Sequence, residues 1–181
     1  MVSMRKRRQW RASVVTGLSR RATRGMIALG PLRFPCALGR SGRGLMKREG
    51  DGLTPIGAWA VRAVYYRADR IARPRGGVRT VRLAPEDGWC DAPDDRNYNR
   101  RVRHPYPASA ERLWRDDGLY DVIVVLGFND RPRRRGRGSA IFMHVARPGF
   151  RPTAGCVALR LPDLLRLIER LGTHGIVRVE G

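Results

Sequence analysis

The chain has 181 residues, 42% of them hydrophobic and 29% charged, and its 37 Lys and Arg against 16 Asp and Glu give a formal charge of +21. That length implies one domain with a substantial core, and no run approaches the roughly 18 apolar residues of a membrane span. The positive field suits a polyanionic partner, yet no RNP-type aromatic pattern, zinc-finger spacing or helix-turn-helix accompanies the arginines, so specific nucleic-acid recognition is not expected.

Residues 1–21 are basic and aperiodic and read as a disordered leader ahead of a domain over residues 22–181. Ala12–Leu18 is too short and too polar for the apolar core of a signal peptide. Short apolar runs separated by Gly and Pro then predict a mostly β domain, with strands at Met26–Leu29, Phe34–Leu38 and Ala58–Tyr66. Gly39–Gly57 is Gly-rich and charged and reads as a loop. Residues 84–107 are poor in apolar residues and rich in Asp, Asn and Pro, which predicts a long irregular segment. Ser109–Arg115 reads as one short helix capped by Ser109. Val122–Leu126 is apolar on both faces and predicts a central strand. Arg131–Gly138 reads as a basic, hinge-like loop able to cover a cleft.

Ala140–Val145 predicts a strand in which Ala140, Phe142 and His144 share a face, with Gly155–Leu159 as its neighbour. Pro162 and Asp163 suit the first turn of a helix whose stripe is Leu164, Leu165, Ile168 and Leu171, ended by Gly172. Ile176–Val179 closes the domain as a strand.

Cys156 lies twelve positions after His144, directly behind Thr153-Ala-Gly155. A thiol and an imidazole brought together by neighbouring strands form a candidate nucleophile and base. Gly155 permits close backbone approach, so the Cys156 amide can face a developing oxyanion. From spacing alone, a cysteine in an apolar run such as Cys-Val-Ala-Leu is more often an inert core residue. Cys36 and Cys90 follow no metal-ligand spacing and either pair with each other or stand as separate thiols. His104 and His174 fall in loops and read as surface residues.

His144–Asp163 resembles the L,D-transpeptidase (YkuD) catalytic domain: a histidine, a variable loop, then Thr-x-Gly-Cys and a hydrophobic residue. Four further stretches are similar to a bacterial subgroup of that family. They are Cys36-Ala-Leu-Gly-Arg-Ser-Gly, Lys47 through Thr54-Pro55, Asp87-Gly-Trp-Cys90-Asp91, and Tyr120-Asp121-Val-Ile-Val-Val-Leu-Gly. The resemblance runs from about residue 22 to the C-terminus. It implies a YkuD-like β-sandwich with one or two short helices and a substrate cleft beside the Gly/Thr-Pro loop. Cys156 is then the nucleophile and His144 the general base on peptidoglycan stem peptides, with Gly155 and Thr153 beside the oxyanion. The product is a 3→3 cross-link. No cofactor or metal is implied, and the site of action is the cell envelope or periplasm, although no signal peptide is visible.

Two features depart from the family pattern. The His-to-Cys loop is short, and Ala158 stands where the family usually places Arg. Arg160 shares the strand face but sits roughly 13 Å along it from Cys156, at about 3.3 Å per residue. Tyr120 and Asp121 read as supporting residues. A hydrolase on the same scaffold and a basic binding module with an inert cysteine are the alternative readings.

Overall fold

The computed structural model describes residues 10–181 and is mostly β. Strands β1 (Trp10–Thr16), β2 (Arg24–Leu29) and β3 (Leu32–Ala37) form an antiparallel meander, with Val14 opposite Ala28 and Ile27 opposite Phe34. The short parallel pair β4 (Arg43–Gly44) and β5 (Thr54–Pro55) pins the base of the loop between them. The ten-residue β6 (Gly57–Tyr66) and the short β7 (Thr80–Arg82) follow. Next come β8 (Asp87–Cys90), β9 (Arg100–Arg103) and β10 (Ala110–Arg112), a separate three-stranded sheet. The chain ends with β11 (Val122–Leu126), β12 (Phe142–Val145), β13 (Val157–Leu159), helix α1 (Leu161–Arg170) and β14 (Leu171–Val179).

The nine-stranded sheet runs β11-β12-β13-β3-β2-β1-β14-β6-β7. A further antiparallel pairing of β11 with β6 closes it on itself, in the manner of a sandwich whose faces have curled into a barrel. Period-two alternation sorts the side chains. Val122, Val124, Leu126, Met143, Val157 and Leu159 enter the main core, while Ile123, Val125, Phe142 and Cys156 enter a second cluster on the opposite face. β-Branched residues fill β11, which is buried along its whole length as its apolar pattern predicts. Leu164, Leu167 and Ile168 of α1 join the main core.

Several expectations require correction. Residues 10–16 are not leader: β1 pairs parallel with β14 and antiparallel with β2, and both Ser13 and Val15 are fully buried. Residues 1–9 lie outside the described residues. Ser109–Arg115 is not a helix, because Ala110–Arg112 pairs with Gly88–Cys90. A seven-residue segment has little helical stability of its own, and sheet pairing overrides its propensity. Residues 84–107 carry the β8–β9 hairpin. Its polar composition conceals a fully buried Asp87, held by Arg101 through two hydrogen bonds of 2.6 and 2.8 Å. Helix α1 stops at Arg170, where Leu171 turns extended (φ −69°, ψ 129°) and opens β14, so Gly172 lies in that strand. The buried stripe includes Leu167, and Leu165 is only partly buried. Cys36, Cys90 and Cys156 are all free thiols.

Candidate active-site cleft

β12 and β13 run parallel, with Met143 opposite Val157 and His144 opposite Ala158. Cys156 stands one position before the paired stretch, on the same face as His144. Both side chains line one cleft of about 650 Å³. The Cys156 Sγ accepts a hydrogen bond from the Phe142 N–H at 3.4 Å and donates to the Ala140 carbonyl at 3.3 Å. At rest, therefore, the thiol proton is directed at a backbone oxygen rather than at the imidazole.

Ala140 adopts a left-handed φ of 51°, and its N–H is held by Asn99 Oδ1 at 3.1 Å. The same Asn99 oxygen accepts from Trp89 Nε1 at 2.9 Å, and the Trp89 ring packs edge-on against Phe142. The three-stranded sheet thus fixes the carbonyl that fixes the thiol.

His144 Nδ1–H donates to the carbonyl of Val145 at 2.9 Å. That bond leaves Nε2 as the basic nitrogen of the neutral ring. Tyr120 stands edge-on to the imidazole, at a centroid separation of 5.3 Å. Burial pushes His144 down to about 4, against the opposing pull of the Val145 carbonyl. Burial pushes Cys156 up to about 12, with the charge of Glu111 adding to it and the Phe142 N–H opposing it. At neutral pH the pair is a thiol and a neutral imidazole. Such a pair reacts by moving the thiol proton as the sulfur attacks, rather than from a standing thiolate.

Thr153 and Gly155 are tied to the turn itself. Thr153 Oγ1 donates to the Cys156 carbonyl at 2.6 Å and accepts from the Gly155 N–H at 3.1 Å. Gly155 has φ 134°, and a Cβ there would stand 2.7 Å from the Leu53 carbonyl oxygen. The glycine is thus required by both dihedral and space. Leu53 belongs to the Gly39–Gly57 loop, which lies at the cleft as expected and contributes Arg40, Lys47, Glu49 and Gly50. The basic loop behaves differently: Arg131, Arg134 and Arg137 line a separate groove with Leu45 and Met46. Its continuation, Ser139, Ala140 and Ile141, reaches the cleft.

Ala158 is buried in the cleft floor, and Arg160 turns away to Asp163 at 2.7 Å. The cleft nonetheless has cations of its own in Arg115, Arg147 and Arg151. Glu111, Asp91 and Ser139 also line it, and the sequence reading assigned no role to them. Glu111 sits in the stretch read as helix, so nothing local signals that β10 carries it into the cleft.

A closed β domain with a free thiol and an imidazole in one cleft defines a candidate for cysteine-dependent acyl transfer. The chain belongs to the L,D-transpeptidase catalytic domain (YkuD) family, whose model matches residues 7–179. It is an enzyme of the L,D-transpeptidase type, a class that acts on cell-wall peptidoglycan. Comparison with curated proteins and with solved structures gave no match. No helix among the described residues is long and apolar enough to cross a membrane.

Proposed function

We propose that Cys156 and His144 are the nucleophile and general base of a transpeptidase that forms 3→3 cross-links between peptidoglycan stems, acting in the periplasm. The observation that carries this reading is the shared cleft. One strand pair puts the thiol and the imidazole on one face, with Nδ1 anchored on Val145 and Nε2 left basic.

Binding of a stem peptide turns Sγ–H from the Ala140 carbonyl toward Nε2. Sulfur then attacks the carbonyl that joins diaminopimelate to the terminal D-alanine, and His144 takes the thiol proton and passes it to the departing amine. The Cys156 amide donates to the oxyanion, and the Thr153–Gly155 turn positions that amide. One such donor is worth about 10²–10³ in rate. An amine of a second stem attacks the thioester, releases the thiol and completes the cross-link.

The test is incubation with purified tetrapeptide stems followed by mass spectrometry. Transpeptidation gives a dimer that has lost one D-alanine, whereas a hydrolase gives free tripeptide. Absence of either product, with Cys156 unmodified, would leave only a binding role.

A further inference from the structure

One part of the cleft wall gathers three carboxylates in a protein whose overall charge is +21. Glu111 of β10, Asp91 just after β8, and Glu49 between β4 and β5 line it together. Tyr residues hold two of these carboxylates by one oxygen each. Glu111 Oε1 accepts from the Tyr120 hydroxyl at 2.6 Å, and Glu49 Oε2 accepts from the Tyr98 hydroxyl at 2.5 Å.

Two polar atoms of the wall lack donors or acceptors of their own. Asp91 Oδ1 is buried and accepts no hydrogen bond among the described residues. Ser139 is only 6% exposed, and although its dipole reaches the Tyr98 oxygen, its Oγ makes no hydrogen bond of ordinary geometry. Buried polar atoms left in that state are costly unless a ligand or water completes them.

Lys47 and Arg115, two of the cations in the cleft, make no hydrogen bond to these carboxylates. Lys47 spends its hydrogen bonds on Asp51 and the Arg48 carbonyl, and Arg115 spends its own on Asp117. Burial raises the Glu111 carboxyl, against the opposing pull of the Tyr120 hydroxyl and the Arg115 charge, and the charges of Asp91 and Glu49 add to the rise. Three carboxylates that repel one another, next to a buried hydroxyl, form a receptor for a compact cation with several N–H donors. A primary ammonium group has that shape and charge.

We propose that Glu111, Asp91 and Ser139 form the subsite for the acceptor ammonium, and that Glu111 takes its first proton. The assignment rests on the acyl-transfer reading above. The ammonium gives one proton to a Glu111 oxygen, and the freed lone pair forms the N–C bond at the thioester carbon. The C–Sγ bond then breaks. The second proton leaves nitrogen for His144, which returns it to sulfur, while Glu111 sheds the first proton to solvent. The products are an amide, the free thiol and one proton.

The test uses the full chain acylated at Cys156 by a tetrapeptide stem. The thioester is partitioned between water and a probe amine, and the products are counted by mass spectrometry. Methylamine, cationic at pH 7, and hydroxylamine, largely neutral there, are the probes. In Glu111→Gln the methylamine-to-water ratio should fall about tenfold or more, the loss expected for one charge-assisted hydrogen bond, with the hydroxylamine ratio nearly unchanged. Asp91→Asn should shift the methylamine ratio in the same direction. Only folded, acylated molecules contribute, so a loss of stability does not imitate the effect. An unchanged methylamine ratio in both variants overturns the assignment, and so does an equal loss with both amines, which would mark a purely steric role. Failure of the stem to acylate Cys156 in the wild type overturns the acyl-transfer reading itself, and this inference with it.

Discussion

Tyr120 connects the two ends of the cleft: its hydroxyl donates to Glu111 Oε1 at 2.6 Å, and its ring stands edge-on to His144. Its phenol is raised well above the ordinary value by burial, with the charges of Cys156 and Glu111 adding to it. It therefore stays a neutral donor at any pH the enzyme tolerates.

Tyr120→Phe keeps the ring and its edge contacts and removes only the donor. The expected loss is about 1–3 kcal/mol, because Glu111 remains half-buried with one fewer partner. Urea unfolding checks the magnitude. Glu111 should also become harder to ionise, so the aminolysis rate of the acyl-enzyme should reach its plateau at higher pH than in the wild type.

The neutral thiol–imidazole pair has a kinetic signature. Alkylation of Cys156 by iodoacetamide, followed by peptide mass mapping to separate it from Cys36 and Cys90, should be slow at pH 7. It should keep rising through pH 9, since the thiol is pushed up to about 12. A plateau between pH 5 and 8 would reveal a standing thiolate–imidazolium pair and contradict this account.

His144 predicts an acid-side instability. Its folded value is lowered to about 4 from 6.5, so the unfolded chain binds the extra proton first as pH falls. The contribution is fully present above about 6.5 and is lost progressively down to about 4, where the loss amounts to roughly 3 kcal/mol at about 1.4 kcal/mol per pH unit. His144→Gln cannot titrate. Its unfolding free energy should therefore fall less between pH 7 and 4 than that of the wild type, as measured by urea titration at each pH.

Much of this architecture is legible in the chain because short-range pattern and burial agree. Val122–Leu126 is an apolar run buried along its whole length, Ala58–Tyr66 carries enough apolar and aromatic residues to mark a strand, and Leu164 and Ile168 mark one helix face. The Thr-x-Gly-Cys turn is local too, so its cysteine and the upstream histidine stand out. What stayed hidden depends on partners distant in sequence. Trp10–Thr16 looks like basic leader until β14 pairs with it from the far end of the chain. Ala110–Arg112 looks helical until β8 claims it. The same pairing carries Glu111 into the cleft, so the acidic wall was unreadable for the same reason as the strand.

Gly155→Ala should damage the fold and the site together. The residue holds φ 134°, and the new methyl would press on the Leu53 carbonyl, a backbone atom with little freedom to move. A cost of about 1–3 kcal/mol is expected from the dihedral alone. The Thr153–Cys156 turn would shift with it, so acylation should fall even at temperatures where the variant remains folded. Unfolding curves and single-turnover acylation, measured on one preparation, separate the two losses.

Asp87 is the test of the corrected hairpin. It is fully buried and accepts from the Ala84 N–H at 2.9 Å and twice from Arg101, so it holds the turn into β8 and the neighbouring strand β9. The Leu113 N–H donates to its backbone carbonyl, which continues the hold toward β10. Asp87→Ala removes the acceptor of the Ala84 N–H and of Arg101, whose guanidinium is exposed enough to be solvated, and should cost about 1–3 kcal/mol. The consequence reaches the cleft, because β8 carries Trp89 against Phe142 and leads into Asp91, and β10 carries Glu111. Asp87→Asn keeps the shape and one acceptor oxygen and should lose less. Denaturant unfolding should rank the wild type above Asp87→Asn and Asp87→Ala last. Equal stability of all three would show that the ion pair does not hold this sheet together.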